Sequence, residues 1–247
     1  MLKRGAELSE THLQDLKFRL MTIELLKIAK KRYTYRELAN RVNLPVTVLS
    51  RYVKGHVLPS TKRAKKIWIT LEGIIGLEEE IRKRIQFDEL GYFDNTSIIC
   101  DIALLQHAAQ HALARFAGRR ITKVITAAVD GIPLATVAAE ALGVDLILAK
   151  KSKEVGVPEF LEETYISDGS AVVTSLYVPR GVIKKGEGIL IVDDIIKSGE
   201  TQKALVNLIV KSRAEIAGIF ALVAIGDEWK KRLQQLTNCP MEVILKL

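Results

Sequence analysis

The chain has 247 residues, of which 48% are hydrophobic and 27% charged, with a formal net charge of +8. This length admits two unequal domains, and the composition can bury a full core. No apolar run is long enough for a membrane-spanning helix, and charged residues rather than an apolar signal core follow Met1–Gly5.

The charge is unevenly spread. Residues 1–90 hold 19 Lys and Arg against 11 Asp and Glu, whereas residues 91–247 hold 18 of each. Within 11–70 the count is 14 basic against 3 acidic. A basic module joined to a neutral one suggests nucleic-acid binding joined to another activity. A solvated, Lys-rich helical face is the plainer alternative. Cys100 and Cys239 stand far apart without metal-ligand spacing, and read as reduced packing residues of a cytoplasmic protein.

In chain order, Leu13, Leu16, Leu20 and Ile23 place an apolar stripe on a helix near Thr11–Lys31. Thr34, followed three residues later by Glu37, predicts a capping box, with Tyr33 and Leu38 as the hydrophobic staple. The short helix it starts should end at Arg41-Val42-Asn43, because Asn tolerates the left-handed conformation. Leu44-Pro45 opens a second short helix through Val46–Val53, with Pro in its first turn, which stops at Lys54-Gly55. Leu58-Pro59-Ser60-Thr61 opens a further helix.

Helix, tight turn, helix is the helix-turn-helix pattern. Ala39 is small where the helices cross, Asn43 occupies the turn, and Leu38, Val42, Leu44 and Leu49 form the wedge. Thr47, Ser50, Arg51 and Lys54 are left outward on the second helix. This segment resembles the repressor and Cro-like DNA-binding family, whose second helix enters the major groove. The resemblance implies base contacts from the second helix and phosphate contacts from Lys62, Arg63, Lys65 and Lys66. Residues 1–70 are assigned to this domain. Residues 71–90 read as a partly helical connector running from acidic Glu78–Glu80 to basic Arg82–Arg84.

Residues 91–247 alternate strands and helices, which implies a parallel α/β sheet. Asp101–Gly118 is expected to be helical, with Ile102, Leu105, Leu113 and Phe116 inward. His107 and His111, four apart, lack a third ligand and read as a surface pair rather than a metal site. Strands are expected at Lys123–Ala128, Asp145–Ala149, Ile189–Val192 and Ile216–Ala224, with an extended run at Ser170–Val178. Helices are expected at Leu134–Leu142, ended by Gly143, and at Gln202–Lys211. Ser152–Asp168 is a long polar loop of the functional or mobile kind.

The chemistry concentrates at Ile189–Thr201, which reads Ile-Leu-Ile-Val-Asp-Asp-Ile-Ile-Lys-Ser-Gly-Glu-Thr. A buried strand leads into two carboxylates, a small polar loop and a helix N-terminus. Loop amides and the positive helix end favour a phosphate. The carboxylates can accept hydrogen bonds from vicinal hydroxyls or face a hydrated Mg²⁺. A phosphate at one end and hydroxyls at the other suit a ribose 5-phosphate. Acids solvating a strand end at a switch point are the plainer alternative, and the whole run with its loop favours phosphate.

The run resembles the thirteen-residue PRPP (5-phosphoribosyl 1-diphosphate) motif of the type I phosphoribosyltransferases. The resemblance implies that Asp193 and Asp194 hold the ribose hydroxyls and that Lys197, Ser198, Gly199, Glu200 and Thr201 wrap the 5-phosphate. Many members have Thr at the position of Ser198 and Gly at that of Glu200. Ser keeps the hydroxyl, whereas an acid beside a phosphate is expected to point to solvent. By the same resemblance Asp130 and Gly131 form the diphosphate loop, Lys150 and Lys151 its basic partner, and 152–168 a hood loop.

Ile121–Val124, Gly131–Ala135 and Ile191–Asp194 resemble the branch containing xanthine phosphoribosyltransferase and the bacterial purine repressor. The two-part layout is similar to that repressor's and to archaeal GfcR-type regulators. The implied function is a DNA-binding transcriptional regulator whose phosphoribosyltransferase-like domain senses PRPP, a purine base or a nucleotide. The partners are double-stranded DNA and a second copy of the chain, and Mg²⁺ arrives with PRPP. The alternative is an active purine phosphoribosyltransferase with an added nucleic-acid arm. Asp227, Glu228 and Trp229 are base-contact candidates by position only. A receiver domain also uses an acidic pair, but on its first strand, which disfavours it here.

Overall fold

In a computed structural model of the chain, residues 12–74, 76–87, 89, 93–166 and 173–247 are described. The expected helix start at Thr11, the side chain of Leu13, connector residues 75, 88 and 90, and residues 167–172 of the expected loop and extended run lie outside them. The chain divides into two compact units, 1–77 and 78–247.

The first unit is helical among its described residues: α1 (His12–Lys30), α2 (Tyr35–Val42), α3 (Val46–Val53) and α4 (Thr61–Glu72). The capping box forms. Thr34 Oγ1 accepts the Glu37 amide at 3.3 Å, and the Glu37 carboxylate accepts the Thr34 amide at 2.7 Å. Asn43 ends α2 in the left-handed region at φ 52°, and Pro45 caps α3 rather than standing in its first turn.

Two short helices, α2 and α3, are thus joined by the turn 43–45, an arrangement consistent with the expected helix-turn-helix. Leu38, Ala39, Val42 and Leu49 are buried with Tyr52, Ile67, Trp68 and Leu71, and Leu44 packs against them half-buried. The inward face of α1 differs from expectation. Ile23 is buried as expected, but Leu20 is 47% exposed, and Leu25, Leu26 and Ala29 complete the buried face. The reason is tertiary: α1 packs on α3 and α4, and its buried stripe is offset from the one the early leucines suggest. Arg19 Nε donates to the Pro59 carbonyl at 2.7 Å, and the Thr61 hydroxyl bonds the Asp15 carboxylate, so the start of α4 is tied to α1.

The chain continues through α5 (Leu77–Arg84), β1 (Gln86–Phe87), β2 (Phe93–Asp94), α6 (Thr96–Ile99), α7 (Ile102–Arg115), β3 (Lys123–Ala127), α8 (Ile132–Leu142), β4 (Asp145–Ala149), β5 (Phe160–Ile166), β6 (Val173–Pro179), β7 (Gly188–Ile196), α9 (Glu200–Lys211), β8 (Glu215–Ala224), α10 (Glu228–Gln234) and β9 (Met241–Lys246). Five strands form a sheet in the order β4-β3-β7-β8-β9, every neighbouring pair parallel. Successive residues of β7 alternate faces. Ile189 and Ile191 join the apolar cluster with Leu205, Leu208 and Ile209 of α9. Leu190 and Val192 are equally buried on the other face. There Phe116, which caps α7, lies against Gly218, and His111 stacks on Phe220. Both faces are therefore covered, which is why the central strands read as continuous apolar runs.

Four expectations need correction. The polar loop is not a loop throughout, because Phe160–Ile166 forms β5, paired antiparallel with β6. β7 extends past Val192 to Ile196, so the two acids lie inside the strand. Ile102, expected inward, is 56% exposed as the first residue of α7, which ends at Arg115, short of Gly118. His107 and His111 are not a surface pair: His107 is buried, and His111 Nε2 lies 2.8 Å from Glu242 of β9. Among the described residues no helix is long and apolar enough to cross a membrane.

Candidate functional site

The site forms where β3 and β7 lie side by side. β4 branches to one side of this pair and β8 to the other, so their carboxyl ends open into the crevice that such a switch of direction creates. After β7 the chain turns through Lys197-Ser198-Gly199 into α9. Gly199 caps this helix at φ 83°, and a Cβ there would stand 3.2 Å from Cα and Cβ of Trp229. Both the left-handed backbone and the close approach require glycine. The amides of the first turn of α9 have no helical acceptors, so this end carries positive potential. The Glu200 amide donates to Ser198 Oγ at 3.3 Å.

Asp193 and Asp194 are 6% and 7% exposed. Asp193 accepts from Gln202 Nε2 at 2.6 Å and from the Asp194 amide at 3.1 Å. Asp194 accepts from Asn95 Nδ2 at 2.5 Å. Burial, and then the neighbouring Asp194 carboxylate, push the Asp193 carboxyl well above the usual carboxylate range. Gly131 caps α8 on the opposite wall. A Cβ on it would lie 2.3 Å from Thr126 Oγ1 and 2.7 Å from Asp193 Oδ1, so the backbone approaches the acid as only glycine allows.

These groups line one cleft of about 420 Å³. It gathers Asp193 and Asp194, Lys197–Thr201, Asp130 and Gly131, and Lys151. A charged, partly enclosed crevice with amide donors at one end and paired acceptors at the other can bind an anion and a polyol together. It also contains Phe93, Asn95, Tyr165 and Gln202, which no local pattern singles out. Asn95 is 99 residues from its acid, and Tyr165 lies on the unexpected strand β5.

Other candidates are not brought to the cleft. Lys150 is ion-paired with Glu154, and its backbone bridges Tyr177. Asp227 and Glu228 are exposed outside the lining. Trp229 is buried beneath Gly199 with its indole N–H on the Gly226 carbonyl at 2.8 Å, so its ring is no stacking surface for a base. Glu200 does not simply point to solvent: its side chain is 20% exposed and pairs with Arg232 at 3.1 Å and Lys203 at 3.6 Å.

In the helical unit, Thr47, Arg51 and Lys54 on and just after α3 are exposed, as are Lys62, Arg63, Lys65 and Lys66 on α4, while Ser50 is half-buried. Arg63 Nη1 donates to the Tyr52 hydroxyl at 3.1 Å. Among the described residues no group of three His, Cys, Asp or Glu side chains is placed to hold a metal ion.

A parallel sheet with an acid pair near the end of a central strand, a glycine-capped loop leading into a helix and a second glycine loop facing it defines a phosphoribosyltransferase fold. The chain belongs to the phosphoribosyl transferase domain family, whose model matches residues 98–245. It is 32% identical over 133 residues to the purine biosynthesis transcriptional repressor PurR of Bacillus subtilis (strain 168), a match covering 54% of this chain and 47% of that repressor. The chain thus spans less than half the length of that relative. It is 32% identical over 138 residues to xanthine phosphoribosyltransferase of Lactococcus lactis subsp. cremoris (strain SK11), covering 55% of this chain and 70% of that enzyme. The fold is similar to that of adenine phosphoribosyltransferase from Thermoanaerobacter pseudethanolicus, with a TM-score of 0.61 and 20% identity over 68% of this chain and 99% of that one.

Proposed function

We propose that this protein is a DNA-binding transcriptional regulator whose phosphoribosyltransferase domain binds PRPP or a purine base or nucleotide as its effector. The observation that carries the reading is the juxtaposition, in one chain, of a basic helix-turn-helix and a cleft holding Asp193, Asp194 and the 197–201 loop. The likeness to a purine biosynthesis repressor supports it. In this reading the amides of Ser198–Thr201 receive the 5-phosphate and the acid pair receives the ribose hydroxyls. Asp130, Gly131 and Lys151 face the diphosphate.

Mg²⁺ fits as part of the ligand. It keeps most of its waters and is usually bound through one or two carboxylates plus substrate phosphates, and the cleft offers carboxylates of this kind without a cage. When bound, it would neutralise diphosphate charge.

A second reading, favoured by the likeness to xanthine phosphoribosyltransferase over 70% of that enzyme, is catalysis. A base nitrogen would bond to ribose C1 as the C1–O bond to diphosphate breaks. The deciding experiment incubates the purified protein with PRPP, Mg²⁺ and each nucleobase and assays for nucleotide. Binding of PRPP or nucleotide without turnover is expected, and rapid turnover would establish the enzyme. A protein that binds neither would lose both readings.

A further inference from the structure

The phosphate loop contains an acid where a phosphate dianion is to sit. Glu200 lines the cleft and heads α9, and its side chain is only 20% exposed. An unpaired carboxylate at this place would oppose any phosphate ligand.

The helix α10 supplies the compensation. Arg232 Nε is 3.1 Å from Glu200 Oε1, and Arg232 Nη1 donates to the Ser198 carbonyl at 2.5 Å. One guanidinium therefore spans Gly199 and holds the residues on either side of it. Its planar fork suits this double duty, which a point-charge ammonium would not perform. Three residues earlier on the same helix, Trp229 packs against Gly199 itself. Lys203 approaches the other Glu200 oxygen at 3.6 Å from an exposed position.

We propose that Arg232 is a positioning residue for phosphate binding, neutralising and holding aside the Glu200 carboxylate so that an acid-bearing loop accepts a ribose 5-phosphate. The inference rests on the proposed phosphate site and adds what makes that site competent. It assigns α10 the role of a backing plate for the loop.

The test is a double-mutant cycle on the full chain, read by calorimetric titration with ribose 5-phosphate and with PRPP plus Mg²⁺, with thermal melting to verify folding. Arg232→Ala is expected to weaken both ligands by tenfold or more, because it leaves Glu200 facing the phosphate with only Lys203 as partner. Glu200→Gln/Arg232→Ala is expected to recover at least half of that loss on a logarithmic scale, since the amide carries no charge. Loss of a merely structural contact would not be rescued in this way. An Arg232→Ala protein that is folded and binds within threefold of wild type overturns the proposal, as does a double variant recovering less than half. Should Arg232→Ala fail to fold, Glu200→Gln alone decides: binding tightened by threefold or more, as expected when the acid is removed and Arg232 is freed, supports the proposal, and unchanged or weaker binding overturns it. Failure of wild type to bind either ligand would instead sink the phosphate site itself.

Discussion

Asp193 carries an uncommon burden for a carboxylate. It lies inside a central strand, 6% exposed, with its neighbour's carboxylate beside it. Its folded-state pKa is raised, first by burial and then by Asp194. The folded chain therefore holds this proton more tightly than the unfolded chain. Stability from this group is fully present below the unfolded carboxylate value and is lost as pH rises through the folded one. Asp193→Asn removes that loss. The Asn oxygen can still accept the Asp194 amide, and its NH₂ can donate to a flipped Gln202.

The expected result is a higher melting temperature at neutral pH, about 2–4 °C for each kcal/mol gained in a chain of this size, and a flatter dependence of melting on pH. The same change removes a charged acceptor from the proposed sugar site, where a hydrogen bond to a charged group contributes about 1.5–3 kcal/mol. Ligand affinity should fall as stability rises, the usual conflict at a binding site. Thermal melting across pH 5–8 beside calorimetric titration with PRPP reads both. A variant less stable than wild type at every pH would show that the buried charge is better compensated than its surroundings imply.

Among the elements, the segment around β2 is set apart by one contact. Asn95 donates to Asp194 Oδ2, one of the acceptors proposed for a ribose hydroxyl, and Phe93 lines the same cleft. A ligand hydroxyl that uses this oxygen competes with the Asn95 amide. Asn95→Ala should tighten PRPP or ribose 5-phosphate by about threefold to tenfold, less than a full charged hydrogen bond because water replaces the lost amide. Weaker binding would mean that Asn95 serves the ligand instead of competing with it.

The proposed DNA-binding helices α3 and α4 give a separate expectation. Arg51→Ala should relax sequence preference, while Lys62→Ala and Lys65→Ala should weaken all DNA alike, each lost phosphate contact lowering the salt slope by about 0.9. Gel-shift titrations at several salt concentrations distinguish the two effects. Unaltered retention in all three variants would remove the basic unit from DNA binding.

Which elements could be read from sequence follows from their burial. β3, β4 and β8 fall within one residue of expectation because strands covered on both faces are runs of consecutive apolar residues. β5 is half-buried and carries Glu162 and Glu163, which makes it look like a polar loop. Its partners are distant: Asn207 Nδ2 bonds Glu163 at 2.6 Å, and Lys211 pairs with the same carboxylate. α10 buries only Trp229 and Leu233, too few apolar positions to show a period. The acid pair and the 197–201 loop, which the structure brings to one cleft, are legible because they are contiguous in sequence. Asn95 and Arg232 are not, since each meets the site only through the fold.

For the whole molecule the open question is whether the two units respond to each other. One helix-turn-helix contacts about half a turn of duplex, and dimers of such modules read half-sites about 34–36 Å apart or multiples of it. Type I phosphoribosyltransferases commonly pair through their α/β domains, so a homodimer would present two basic units at a set spacing. A ligand that favours one arrangement of the dimer would then favour one spacing, and residues 71–90 are the covalent path between the helices proposed to bind DNA and the domain that holds the cleft. Linkage makes the effect reciprocal: ligand and DNA must change each other's affinity by the same factor, typically about 5–150-fold. PRPP or a purine nucleotide is therefore expected to change affinity for a palindromic operator by at least about fivefold. Asp193→Asn should abolish this response while leaving ligand-free DNA binding intact, because the substitution lies in the cleft of the second unit. Operator titrations with and without each ligand, on wild type and variant, measure it. Identical curves across the panel would mean that the units are tethered without being coupled. The cleft would then have to be accounted for by turnover, which the nucleotide assay reads independently.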